Sequence, residues 1–371
     1  MKFTMNNQDL LEGLNIVTRA LSSRPAKQIL EGVLISAEDN QILLTCSDGS
    51  MSIEYTNAAD VQEEGQAVLP GKLFTELIRK MPGGQVEINI DNHRTAQIKC
   101  QKARSNLAIM SAAEYPEIHG IDTPVSIKFP MRKLKDMISH VLFAIATDES
   151  RLVLTGALLE ISPVEARMVS LDGFRLAMQK ANLPFELPED QPTVKAILPG
   201  KLLTELSHIL SDEDEFCHLK LKQGRMQCTF KNIRISSVLV EGEYIDYRRI
   251  IPSQFKTQVK ALRASVSDAI DRASLLAREG KNNLVKMSFH NQQLVISSNA
   301  EMGDVAEPMD VEMTGDELDI AFNAKYISDI IHNLNEEYLY MNLNSSVSPC
   351  VVTPPSGDEY LYLILPVRIF Q

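Results

Sequence analysis

A helical pattern recurs three times along this chain. Residues 69–81 read LPGKLFTELIRKM, residues 198–210 read LPGKLLTELSHIL, and residues 322–334 read FNAKYISDIIHNL. A run of alternating polar and apolar residues follows each copy, namely QVEINI, CHLKLK and YLYMNL, and such alternation is typical of a β-strand. Repetition at this spacing indicates homologous structural units, and it constrains the fold more than any single motif does.

Two further elements recur in the same register. TCSDGSMSIE around Asp48 matches VSLDGFRLAM around Asp172 and ISSNAEMGDV in the third copy, while SAAEYPEI around Tyr115 matches VEGEYIDYRRI around Tyr244. The 371 residues also exceed the ~250 at which single cores stop growing. We therefore expect three domains, at residues 1–122, 123–253 and 254–371.

The repeated helix carries its apolar residues with a period near 3.6, which predicts one face packed against a sheet. These residues are Leu73, Phe74, Leu77, Ile78 and Met81, then Leu202, Leu203, Leu206 and Leu210, then Tyr326, Ile327, Ile330, Ile331 and Leu334. A second amphipathic segment opens each repeat, which gives six helices near 8–21, 72–81, 131–147, 201–210, 260–281 and 325–334. Short alternating runs such as QILLTCS and QCTFK predict antiparallel sheets, so the expected class is α+β, with two helices packed on antiparallel sheets in each domain.

The N-terminal sequence and the cysteines indicate the cellular location of the protein. The start, MKFTMNNQDLLEGL, lacks the apolar core of a signal peptide, and no run approaches the ~20 apolar residues that cross a bilayer. We expect a cytoplasmic protein. The five cysteines are dispersed and form no CxxC pair, which predicts buried free thiols rather than disulfides or zinc ligands.

Charge is unevenly distributed. The net charge of −12 argues against a surface that binds nucleic acid everywhere, but the six predicted helices together carry +5. Lys72, Arg79 and Lys80 share one helix face, and Lys201 and Lys325 occupy the position of Lys72 in the other copies. For any one helix an ordinary solvated face is the simpler interpretation. A basic face repeated on equivalent helices instead favours a common channel for DNA phosphates, to which this argument assigns Arg79, Lys80, Lys133, Arg278 and Lys281.

Enzyme readings find little support in the sequence. GQAVLPGKL from Gly65 has one residue too many for a phosphate-binding loop and Leu73 in place of the magnesium-binding Ser or Thr, so we expect a turn before a helix. The histidines stand in no HExxH or GxSxG context, and the run Asp212–Glu213–Asp214–Glu215 lacks calcium-loop spacing and predicts an exposed loop. We expect no catalytic centre, cofactor or metal.

Several segments together resemble the bacterial DNA polymerase III beta subunit family, the sliding clamps. They are MKFT, Ser23-Arg24-Pro25, the Asp172-Gly173-Phe174-Arg175-Leu176 run, EYIDYRRIIP and the C-terminal LPVRI, and the resemblance spans essentially the whole chain. It implies a head-to-tail homodimer, a six-domain ring around duplex DNA with helices inside and sheets outside. The implied partners are the replicative polymerase, the clamp loader, translesion polymerases, mismatch-repair proteins and ligase, which bind through short linear motifs to a nucleoid-associated clamp without catalytic activity.

The resemblance also assigns site residues. It places Arg24, Lys72 and Lys201 at DNA, and Arg104, Leu107, Leu275 and Leu276 at the dimer interface, with Ser105 and Asn106 where the family often has Phe. It implies a peptide pocket between domains 2 and 3, with apolar walls and arginines at its rim. The pocket positions are Arg151, Leu154, Leu171, Gly173, Phe174, Arg175, Leu176, Ile245, Arg249, Ile250, Val347, Leu363, Leu365, Pro366, Val367 and Arg368.

Some positions depart from the family, and a second function stays open. Ile245, Phe174 and Pro349 differ from common family residues and Phe370-Gln371 extends the chain, so the preferred partner motif can differ. Without the resemblance, Leu363, Leu365 and Val367 would predict only a terminal core strand. The alternative function is a peptide-binding repeat protein that never contacts DNA. A monomeric mass and salt-insensitive chromatography on DNA would distinguish it.

Overall fold

The computed structural model describes residues 1–22, 27–90, 94–123, 126–187, 192–222, 224–279 and 283–368. The chain folds into two compact units. The first comprises Met1–Arg132 and His208–Leu239, and the second comprises Lys133–Ser207 and Val240–Gln371.

Helices occur twice in each repeat, as predicted. The α-helices of the described ranges, α1 to α6, are Asn7–Val17, Gly71–Lys80, Met131–Leu142, Gly200–Ile209, Arg263–Glu279 and Ala324–His332. Short 3-10 helices lie at Thr18–Ala20, Gln28–Glu31, Ala112–Glu114, Glu149–Thr155 and Tyr247–Arg249. Within these ranges, no helix is both long enough and apolar enough to cross a membrane.

Strands make up most of the remaining regular structure. Strands β1 to β13 are Lys2–Asn6, Gly32–Glu38, Gln41–Ser47, Met51–Ala58, Asp60–Glu63, Gly65–Pro70, Gln85–Asn89, Thr95–Cys100, Ala103–Ala108, Ile127–Pro130, Gly156–Ile161, Ala166–Leu171 and Arg175–Ala181. Strands β14 to β26 are Val194–Pro199, Phe216–Lys222, Arg225–Phe230, Ile233–Val238, Thr257–Leu262, Leu284–His290, Gln293–Ala300, Gly303–Asp310, Glu312–Thr314, Leu318–Asn323, Tyr338–Leu343, Cys350–Val352 and Tyr360–Ile364.

The first unit contains two antiparallel sheets. One has the order β5-β1-β7-β8-β9, and the other has the order β10-β15-β16-β17-β4-β3-β2-β6. In the second sheet, β4 of the first repeat pairs with β17 of the central repeat, with Ile53 opposite Ile235. A salt bridge between Glu54 and Arg234 reinforces that pairing, because both guanidinium donors Nε and Nη2 reach the carboxylate at 2.5 Å.

The second unit repeats this arrangement. Its sheets have the orders β14-β11-β12-β13-β26-β25-β24-β18-β22 and β21-β20-β19-β23. Here β13 of the central repeat pairs with β26 of the third, with Ala177 opposite Tyr362. Strands of consecutive repeats therefore pair in the same way in both units.

Helices α2, α4 and α6 begin within one residue of the positions that the repeated pattern predicts. In α6 the Asn323 side chain caps the helix by accepting hydrogen bonds from the backbone nitrogens of Lys325 and Tyr326, at 3.0 and 3.4 Å. The predicted apolar stripe is largely buried, as at Leu202, Leu206 and Ile330. Each such side chain contributes about 1.5–3 kcal/mol when it is fully removed from water.

Three of the predicted helices were too long. Helix α1 ends at Val17 instead of residue 21. Helix α5 begins at Arg263 instead of residue 260, because Thr257–Leu262 forms β18 and Lys260 pairs with Tyr340 of β24. Helix α3 ends at Leu142 instead of residue 147. With these bounds the six α-helices carry a net charge of +2, so their basic bias is smaller than predicted.

The structure contradicts two of the local predictions and confirms two others. Leu73 was expected in the buried stripe of α2 but is 58% exposed. Residues Gly65–Pro70 form β6 rather than a turn, although α2 does begin directly after them. All five cysteines are buried and free, as predicted, and residues 212–215 lie exposed outside the helices and strands, as predicted.

Candidate functional site

An apolar cluster in the second unit brings together five of the predicted pocket residues. Leu154, Leu171, Leu176 and Leu363 are at most 4% exposed and belong to one cluster, against which Ile245 packs. The cluster also contains Tyr247 and Val351, which sequence reasoning missed. The predicted walls are therefore a buried floor, and accessible apolar surface has to come from other residues.

Four of the predicted pocket residues are exposed apolar residues. Phe174 is 57% exposed and Leu365 is 38% exposed, and Ile250 and Val347 are exposed as well. The backbone nitrogen of Leu365 donates a 2.8 Å hydrogen bond to the Phe174 carbonyl oxygen, which places the two residues side by side. Exposed apolar residues above an apolar floor suit a peptide with one or two hydrophobic anchors.

Phe174 owes its position to the turn between β12 and β13. Gly173 has a φ of +93°, in the left-handed region that favours glycine. The Asp172 carboxylate oxygen Oδ1 accepts hydrogen bonds from the backbone nitrogens of Phe174 and Arg175, at 2.9 and 3.0 Å. The Phe174 ring stacks on Tyr326 of α6, with 5.7 Å between the ring centroids. The Asp-Gly pair of the repeat thus fixes an aromatic side chain at the surface.

Arg175 lies beneath this turn, which corrects the expectation of a rim residue. Its side chain is only 7% exposed, and its Nε and Nη1 atoms contact Asp172 at 3.0 Å and Asp329 at 2.5 Å. Its guanidinium group also lies 4.5 Å from the centre of the Tyr326 ring. The two carboxylates compensate the charge of the guanidinium group, which allows it to stay buried. Arg175 therefore supports the turn from below instead of meeting solvent.

Two other predicted arginines do lie at the surface. Arg151 is exposed and sits in extended backbone, with φ −127° and ψ 82°, inside the 3-10 segment Glu149–Thr155. Arg249 is exposed too, and its Nε atom contacts the carboxylate of Asp246 at 2.9 Å. Both residues flank segments whose apolar side chains belong to the cluster, so positive charge is available beside the apolar surface.

The C-terminal segment is tied to two elements of the second unit. Besides the Leu365 hydrogen bond, the backbone nitrogen of Val367 donates to the Ala321 carbonyl oxygen of β23 at 2.8 Å. Pro366 and Val367 are half-buried, and Arg368 is exposed. Strand β26 ends at Ile364, so Leu365 and Val367 do not continue a core strand. Residues Phe370 and Gln371 lie outside the described residues.

A buried polar network anchors the floor. The Tyr247 hydroxyl donates to the Glu160 carboxylate at 2.8 Å, and Arg248 Nη2 donates to the same oxygen at 2.7 Å. Burial on its own would raise the pKa of Glu160, but the hydrogen bonds from Lys195 and Tyr247 and the charge of Arg248 outweigh it and lower that pKa. Glu160 therefore stays charged and holds Tyr247 under the cluster.

The basic residues predicted at DNA have different surroundings. Lys72, Lys80, Lys201 and Arg278 are exposed on α2, α4 and α5. Arg79 donates to Asn15 at 2.7 Å and to Glu76, while Lys133 contacts Asp136 at 3.5 Å. Arg24 and Lys281 lie outside the described residues.

The predicted dimer residues lie on the edge strand of one sheet and on a helix that packs against another sheet. Arg104 is exposed and Leu107 is half-buried on β9, the last strand of the five-stranded sheet. Leu275 is exposed on α5, which packs on β20 and β21, and Leu276 beside it is half-buried. Strand β21 is the outer strand of the four-stranded sheet.

In the part of the chain that the structure describes, no group of three or more His, Cys, Asp or Glu side chains is placed to hold a metal ion.

Family comparisons cover nearly the whole chain. The model of the DNA polymerase III beta subunit N-terminal domain matches residues 1–119. The central-domain model of the same subunit matches residues 128–246, and the C-terminal-domain model matches residues 248–368.

Individual relatives agree with these matches. The beta sliding clamp of Bacillus subtilis is 35% identical over 381 residues and covers 100% of both chains. The crystal structure of the DNA polymerase sliding clamp from Bacillus subtilis superposes with a TM-score of 0.95, at 35% identity and 100% coverage of both chains. A putative DNA polymerase III beta subunit from Eubacterium rectale gives a TM-score of 0.94, at 30% identity and the same coverage. These comparisons confirm the resemblance indicated by the sequence motifs and the fold class of three α+β domains.

Proposed function

The chain belongs to the DNA polymerase III beta subunit family, and on that premise we propose that it is a DNA sliding clamp that closes as a homodimeric ring around duplex DNA. Its work is topological. A closed ring cannot leave the duplex sideways, so weak phosphate contacts suffice, and a tethered polymerase gains processivity through its high effective concentration. No catalytic activity of its own is required.

The pairing of strands between repeats carries this proposal. Strand β4 pairs with β17 of the next repeat, and β13 pairs with β26 of the repeat after that. The third repeat has β21 at the corresponding edge, and the first repeat has β9 at the complementary edge. A second copy in head-to-tail orientation pairs β21 with β9 twice and closes the ring, as expected for cyclic two-fold symmetry. In this arrangement Arg104, Leu107, Leu275 and Leu276 meet at each dimer junction.

DNA contact is assigned to the helices. The exposed helical cations are Lys72, Lys80, Lys201 and Arg278. Arg79 and Lys133 add positive charge, although Arg79 contacts Asn15 and Lys133 contacts Asp136. Such contacts recognise phosphates without regard to sequence, which permits sliding. The acidic remainder of a chain with net charge −12 repels DNA from other faces. Domain boundaries at residues 122 and 253 remain part of this proposal.

Partner binding is assigned to the apolar surface around Phe174 and Leu365. We expect the replicative polymerase, the clamp loader, translesion polymerases, mismatch-repair proteins and ligase to insert short linear motifs there, so they compete for one site per subunit. With these partners, the protein is expected to act in the cytoplasm, at the nucleoid. No observation favours the alternative of a repeat protein that binds peptides but not DNA.

Primer extension tests the proposal. A singly primed circular template is copied by the cognate polymerase and clamp loader with ATP, and the product length per binding event is compared with and without this chain. The expected result is a large increase in length that requires both the loader and ATP. Product lengths unchanged by the chain would overturn the proposal.

A further inference from the structure

The contact between Phe174 and Tyr326 joins two successive repeats within one chain. Phe174 lies in the turn between β12 and β13 of the central repeat, and its ring stacks on Tyr326 in the first turn of α6. Since the repeats share their fold, equivalent residues identify where the same contact is expected at the other junctions.

Tyr326 corresponds to Leu73 in the first repeat. The sequences LPGKL from Leu69, LPGKL from Leu198 and FNAKY from Phe322 align without gaps, which makes Leu73, Leu202 and Tyr326 equivalent. Leu202 is buried and Tyr326 is half-buried, whereas Leu73 is 58% exposed. The first repeat thus presents, in a single chain, an apolar side chain that is covered in the other repeats.

Strand register identifies the residue that corresponds to Phe174. Gly156 of β11 pairs with Pro199, just before α4, and Leu284 of β19 pairs with Asn323, just before α6. Counting from these positions makes the pair Leu171–Leu176 equivalent to the pair Asn299–Asp304. Phe174, two residues before Leu176, therefore corresponds to Met302, two residues before Asp304. Met302 is 81% exposed.

We propose that Met302 of one subunit packs on Leu73 of the partner subunit at each dimer junction, as Phe174 packs on Tyr326 within the chain. This inference rests on the proposed ring and adds two residues to its interface. Methionine adapts readily to an irregular apolar surface. The ion pair between Arg175 and Asp329 has no counterpart there, because the corresponding residues are Gly303 and Glu76. The contact is therefore apolar.

Cross-linking between engineered cysteines tests the contact in the full-length chain. All five native cysteines are buried, so new surface thiols react selectively. Leu73→Cys and Met302→Cys chains are mixed, allowed to exchange subunits and oxidised mildly. The expected product is a disulfide-linked heterodimer on a non-reducing gel. In the control, Cys replaces the exposed residue Val164 and Met302 is left unchanged. A mixture of Leu73→Cys and Val164→Cys chains is expected to give no such band.

Sedimentation of the same samples separates the possible failures. A dimeric mass without the Leu73–Met302 cross-link overturns the contact but leaves the ring intact. A monomeric mass overturns the contact together with the proposed ring. As a second measurement, Leu73→Ala is expected to raise the dimer dissociation constant roughly a hundredfold, because it removes roughly 60 Å² of buried apolar surface at each of the two junctions. An unchanged constant contradicts the inference.

Discussion

The backbone nitrogen of Leu365 donates a 2.8 Å hydrogen bond to the carbonyl oxygen of Phe174. The two residues are 191 positions apart in the chain, yet this bond aligns the chain after β26 with the turn that precedes β13. It sets two exposed apolar side chains next to each other above a buried leucine floor. The partner site of the proposed clamp depends on this alignment.

Phe174→Ala is expected to weaken binding of a peptide that carries the polymerase's clamp-binding motif by about tenfold or more, as for an aromatic anchor at an interface centre. Folding should not change, because the ring is 57% exposed. Isothermal titration calorimetry with the synthetic peptide measures the effect. Phe216→Ala removes another exposed phenylalanine, on β15, and serves as the matched control. Equal losses in the two variants would contradict the assignment.

Deletion of residues 365–371 is expected to abolish partner binding and leave the dimer intact. The deletion removes the Leu365 and Val367 hydrogen bonds, whereas β26 ends at Ile364 and stays paired. Polymerase stimulation and sedimentation are measured on the same preparation. Normal stimulation by the truncated chain would rule out the pocket assignment.

Arg175→Met is expected to destabilise the second unit by about 3–5 kcal/mol, since it leaves Asp172 and Asp329 without their buried partner. Urea unfolding followed by circular dichroism measures the loss. Arg249→Met breaks an exposed ion pair with Asp246 and should cost below about 1 kcal/mol. The double variant Arg175→Met, Asp329→Asn should recover part of the stability. Similar losses for Arg175→Met and Arg249→Met would refute a buried network.

His290 is expected to titrate above its ordinary pKa. Hydrogen bonds to Glu317 and Asp319, both at 3.0 Å, raise the pKa of the imidazole, with Glu317 the larger cause. A raised folded-state pKa means that this pairing stabilises the fold in full below the unfolded pKa near 6.5, and that the contribution is lost as pH rises through the folded value. NMR titration of labelled histidine measures it. Glu317→Gln should lower the His290 pKa and Glu279→Gln should not, and a His290 pKa at or below the ordinary value would contradict the geometry.

The sequence was most informative where the determinants are local. The 3.6-residue period identified the helix with Leu202 and Leu206, because this pattern involves neighbours in the chain. Lys260 was misassigned to a helix because the partner strand that holds it, β24, lies 78 or more residues away. The buried position of Arg175 depends on Asp329, 154 residues further on. Leu73 fits the apolar period but is exposed. The sequence could not predict this exposure, because periodicity does not reveal whether a neighbour covers the side chain. The pocket residues came from family resemblance, and only the structure separated floor from surface.

Retention on circular DNA tests the central claim most directly. The chain is loaded by its clamp loader with ATP onto nicked circular DNA, free protein is removed, and half of the sample is linearised with a restriction enzyme. A closed ring stays on the circles and leaves the linear molecules rapidly through their ends. Equal loss from both forms would mean that the three repeats bind DNA as an ordinary surface and do not encircle it.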